Sequence, residues 1–114
     1  MDKQGRREAL RRYKEQRPPV GVFAVRCLAS GQVWVGASRN LDQQQNPIWF
    51  GLRLGDHINR AMQAAWRAPG EAAFVIERLE VIEDKDASPT ALGLMLKAAE
   101  QRWREALGVA KAAG

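Results

Sequence analysis

The sequence predicts an α+β domain: a small three-stranded sheet, antiparallel or mixed, flanked by helices. Three observations carry that class. Two short apolar, β-branched runs, "VGVFAVRCL" (20–28) and "QVWVGA" (32–37), are separated only by a turn, and a third, "AAFVIERLEVI" (72–82), stands alone. Apolar residues at helical spacing fill the stretch between the second and third runs and the stretch after the third. The predicted order is helix, strand, strand, helix, helix, strand, helix, with the helices packed on the sheet.

Each element has its own signal. Residues 2–16 read as a helix that Pro18-Pro19 ends. The turn "ASG" joins the first two strands into a hairpin, with Gly31 supplying the unusual backbone conformation. Residues 41–54 suggest a helix made irregular by Pro47 and Gly51. In "GDHINRAMQAAWRAPG", Asp56 is the expected N-cap, Gly70 the terminator, and Ile58, Met62, Ala65 and Trp66 the apolar face. Ser88 and Pro89 form an N-cap and first-turn proline for the last helix. Its apolar stripe is Leu92, Met95, Leu96, Ala99, Trp103 and Leu107.

Composition narrows the class of protein. A chain of 114 residues makes one domain. At that size roughly two thirds of the unfolded surface can be buried, so neither metal nor disulfide is needed for folding. Cys27 is the single cysteine and sits in an apolar run, read as a small buried hydrophobe. No apolar run reaches the ~18 residues of a membrane span, and the basic N-terminus lacks the apolar core of a secretion signal. A cytoplasmic protein with no membrane partner is the expectation. The charge is uneven. Residues 1–17 hold seven basic and three acidic side chains, net +4, while the rest carries eleven against ten, net +1. Arg6, Arg7, Arg11 and Arg12 therefore form a basic arm that suits phosphates; the alternative is a solvated helix with internal pairs such as Glu8 with Arg11 or Arg12.

The hairpin carries two tripeptides, Gly21-Val22-Phe23 and Trp34-Val35-Gly36, and resembles the two-strand signature of the GIY-YIG nuclease superfamily. The stretch "LRLGDHINRAMQAAWRAPGEAAFVIERLE" is similar to a segment that follows the hairpin in several such proteins. The resemblance runs from about residue 20 to residue 103 and implies a GIY-YIG-like domain over 18–110, preceded by a basic helix over 1–17. It implies phosphodiester hydrolysis in a shallow site on the sheet. That site would take a tyrosine from each tripeptide, an arginine on the first helix after the hairpin, and a later helical glutamate holding Mg²⁺ or Mn²⁺. The chemistry asks for such groups: an activated water, a Lewis acid on a phosphoryl oxygen, and a cation facing the developing charge.

Carried over position by position, the tyrosines fall on Phe23 and Trp34, the arginine on Gln44, and a histidine often found one turn later on Ile48. Only the metal glutamate keeps its type, as Glu100, and the resemblance puts it in one hollow with Phe23 and Trp34. Trp34 then fills a chemical position with packing surface, since an indole donates a hydrogen bond but accepts no proton. Arg39, Arg53, Arg60 and His57 lie near enough in sequence to substitute. Three functions stay open: a nucleic-acid-contacting domain with impaired cleavage, DNA favoured as partner; a divergent metal-dependent endonuclease using Glu100 and His57; and a protein-interaction domain.

Overall fold

Two antiparallel strands, β1 (Gly21–Cys27) and β2 (Val33–Ser38), form the hairpin at the centre of the computed structural model. It describes residues 18–83 and 86–111; the basic arm with Arg6, Arg7, Arg11 and Arg12 lies outside the described residues. Gly31 has φ 78° in the turn, a conformation that costs a side-chain-bearing residue roughly 1–2 kcal/mol. A 3₁₀ turn (Leu41–Gln43) leads into α1 (Gln45–Leu54), and α2 spans Arg60–Trp66. A second 3₁₀ turn (Glu71–Ala73) precedes β3 (Phe74–Val81), followed by α3 (Pro89–Leu107) and the two-residue β4 (Ala110–Lys111). The strand order is β3-β1-β2-β4; the first three are antiparallel and β4 pairs parallel with β2. The predicted three-stranded sheet is present, with β4 as a short addition.

Pleat alternation assigns the two faces. Phe23, Val25, Cys27, Trp34 and Phe74 point to one side, where Ile48, Trp49 and Leu52 of α1 and Met62 and Trp66 of α2 cover them. Val22 and Val35 point to the other side, against Ala99 of α3, with Val20 against Leu92 and Leu96. The sheet is thus sandwiched between an α1–α2 layer and α3. The aromatic face is dense: Phe74 stacks on Trp34 at 6.3 Å and meets Trp66 at 5.0 Å and Trp49 edge-on at 6.3 Å. Surface ion pairs such as Arg26 with Glu77 and Arg53 with Glu71 contribute about 0–1 kcal/mol each, so packing holds the fold.

Several local expectations shift. The α2 cap is Asn59, which accepts from the Met62 N–H, and not Asp56. Ile58, expected on the apolar face, lies ahead of the helix and is exposed. The third strand begins at Phe74, two residues later than the apolar run suggests. Pro47 is tolerated because it occupies the first turn of α1, where its missing N–H has no helical partner to lose. Ser88 and Pro89 open α3 as expected, Ser88 accepting from the Ala91 N–H. Cys27 is buried; burial raises its thiol, but hydrogen bonds from the Ser30 side chain and from the Ser30 and Ala29 backbone outweigh that and lower it below the usual cysteine value.

Gln63 locks the α1–α2 connection. Its buried amide donates to the Leu52 carbonyl at 3.1 Å and accepts the His57 N–H at 2.9 Å. Gln63→Leu strands that N–H, and we expect a loss of about 1–3 kcal/mol in a urea melt with α1 and α2 otherwise intact.

Candidate functional site

The two tripeptide rings are interior. Phe23 is 1% exposed and Trp34 2% exposed, both on the α1–α2 side of the sheet. They stand on adjacent strands, Phe23 opposite Gly36 and Trp34 opposite Val25, so they do share a face. Gln44, half-buried between the first 3₁₀ turn and α1, belongs to the layer that covers them. Glu100 does not join them. It sits on α3, which packs on the opposite face, so the single hollow implied for Phe23, Trp34 and Glu100 is not formed. The physical reason is strand alternation: Phe23 and Trp34 are in phase with the large apolar face, while α3 takes the residues of the other phase.

His57 is structural. Its Nδ1 accepts the Asn59 N–H at 3.0 Å, and its ring lies over Gly51, where an added Cβ would stand 3.1 Å from Cδ2. An imidazole so placed shapes the turn before α2. Arg53 is paired with Glu71, and Arg60 opens α2 on its exposed side. Of the three arginines, only Arg39 is beside Glu100.

That neighbourhood is a groove of about 330 Å³ between the end of β2 and α3, lined by Ala37, Arg39, Gly93, Lys97, Glu100, Gln101 and Arg104 among others. Arg39 donates from Nη2 to the Pro89 carbonyl at 3.1 Å, and Gly93 leaves room for its head: a Cβ there would lie 2.9 Å from the same Nη2. Arg104 keeps its Nε shut from solvent and, among the described residues, without a hydrogen-bond partner. Lys97, Gln101 and Arg104 escaped the sequence reading, although the 93-97-101 and 100-104 spacings place them on one helical face.

The donor set does not fit a divalent cation. Glu100 is the groove's sole carboxylate, three cationic side chains share the space with it, and among the described residues no three His, Cys, Asp or Glu side chains gather. Mg²⁺ tolerates one carboxylate when phosphates complete its shell, but here it would enter a groove already carrying a charge excess of two.

Among known proteins, no family profile matches the chain, and no curated protein matches it. Two solved structures do. The catalytic domain of the homing endonuclease I-TevI superposes with a TM-score of 0.67 at 17% identity, covering 83% of this chain and 99% of that one. A point variant of the catalytic domain of the intron endonuclease I-TevI superposes with a TM-score of 0.64 at 20% identity, over 79% and 84%. At such low identity the likeness is one of fold, and the fold of this chain is GIY-YIG-like.

Proposed function

We propose that this chain is a nucleic-acid-contacting domain built on a nuclease scaffold, with the conventional cleavage chemistry impaired or gone. One observation carries the reading: the positions matched to the tyrosines hold Phe23 and Trp34, and both rings are sealed in the core. No hydroxyl reaches a phosphodiester from there. Losing a general base costs about 10²–10⁴ in rate, and losing a charge partner such as the arginine replaced by Gln44 costs roughly 10²–10³. The nucleic-acid half rests on the endonuclease neighbours and on the basic arm of residues 1–17, with DNA favoured.

Plasmid and forked DNA incubated with Mg²⁺ or Mn²⁺ should remain uncut, while anisotropy shows salt-sensitive binding. The triple change Phe23→Tyr, Trp34→Tyr, Gln44→Arg should also fail to cut, because the new hydroxyls stay buried; each buried one lacking a partner destabilises by about 1–3 kcal/mol. Metal-dependent cleavage by the wild type that vanishes in Glu100→Ala would establish the divergent endonuclease instead. The absence of both cutting and binding would leave the protein-interaction reading, for which the exposed Phe50 and Leu54, one helical turn apart on α1, are the natural surface.

A further inference from the structure

We infer that the β2–α3 groove is a phosphodiester-binding site that works without a divalent metal, its guanidinium and ammonium groups supplying the positive charge. The inference rests on the nucleic-acid reading above and assigns the surface that makes the contact. Four observations converge on it. Arg39, Lys97 and Arg104 enter one groove from two elements, so the cationic surface is created by the fold and not by a local run of basic residues. The Pro89 carbonyl holds the Arg39 head over Gly93, which orders one cation before any ligand arrives. Arg104, with an Nε shut from solvent and unpartnered among the described residues, lines the same groove, where a phosphate oxygen can engage the guanidinium. The Gln101 amide, which gives one N–H to Glu105 at 3.2 Å, has a second, neutral donor on the same wall.

Glu100 then takes a different part from a metal ligand. Lys97 precedes it by three residues and Arg104 follows it by four, the helical spacings at which opposite charges meet. The carboxylate spaces and orients the cations, and the groove keeps a surplus of positive charge for the anionic backbone. Such a site reads phosphates and not bases, so it binds without sequence preference and weakens with salt.

The test uses the full chain and a fluorescein-labelled DNA duplex, with anisotropy read across a salt series in EDTA and in Mg²⁺. Affinity in EDTA should equal or exceed that in Mg²⁺. Arg39→Gln, Lys97→Gln and Arg104→Gln should each lower the slope of log affinity against log salt by about 0.9 for each phosphate left unneutralised. Arg67→Gln, on the α1–α2 side, should leave the slope unchanged. Gly93→Ala provides a second route: alanine suits a helix better than glycine, so the fold is kept while the new methyl displaces the Arg39 head and lowers the slope. Binding that disappears in EDTA and returns with Mg²⁺ overturns the inference. So does a slope that ignores all groove variants yet collapses when Arg6, Arg7, Arg11 and Arg12 are neutralised, although the nucleic-acid reading then survives. If the wild type binds no DNA at any salt, both fall.

Discussion

Gly21→Ala should lower stability by about 3 kcal/mol or more, seen as a large drop in the urea midpoint, and purification should yield mostly aggregated chain. The first strand passes so close to the third that a Cβ at Gly21 would lie 1.9 Å from the Glu80 carbonyl oxygen and 2.9 Å from its carbon. Both are main-chain atoms, so no rotamer change removes the clash. The crowding has a source. The β1–β3 register shifts between Val22 and Phe23, where Leu79 is left unopposed, and such a bulge brings the bulged strand in at an altered angle. An alanine therefore forces the two strands apart at a point where Gly21 pairs with Val81 on one side and Ser38 on the other. A variant as stable as the wild type would mean that β3 shifts freely, which the buried Phe74 and the Glu80–Trp103 hydrogen bond oppose.

Phe74→Ala comes next, with an expected loss of about 3–5 kcal/mol. Phe74 touches three of the four tryptophans, Trp34, Trp49 and Trp66, and so ties β2, α1 and α2 to β3. Each aromatic contact adds about 0.5–1.5 kcal/mol beyond the area it buries. The melting temperature should fall by roughly 12 °C or more for a domain of this size. Near-ultraviolet circular dichroism gives a sharper reading: the signal of the three tryptophans should diminish, while Trp103, on the α3 side and bonded to Glu80, keeps its environment. Unchanged near-ultraviolet signal would show that the cluster does not depend on its central ring. Phe74→Leu, which keeps most of the volume, should cost less than the alanine variant.

Much of this fold was legible in the residues because local chemistry and global packing agree. The hairpin followed from two β-branched runs around Gly31, and α3 from Ser88, Pro89 and an apolar stripe. Failures occurred where two local signals competed. Asp56 and Asn59 are both good caps, and what chose Asn59 was Gln63, which holds the His57 N–H and keeps residues 56–58 out of the helix.

The site was harder to read for a related reason. Alternation divides each strand into two faces, so Phe23 and Trp34 could be placed together. Which helix covers which face is a long-range property, and that is why Glu100 was wrongly joined to them. The groove residues Arg39, Lys97 and Arg104 come from segments more than fifty residues apart, beyond the reach of any spacing rule.

The sheet's two margins are treated unequally. On one side β4 lies against Trp34 and Val35, occupying main-chain groups that would otherwise recruit a strand from another molecule. On the other, β3 interrupts its apolar residues with Glu77, Arg78 and Glu80, charges that make stacking of identical chains unfavourable. Shortening the chain before Ala110 would unmask the first margin and leave the β2 main chain open to a strand from another molecule.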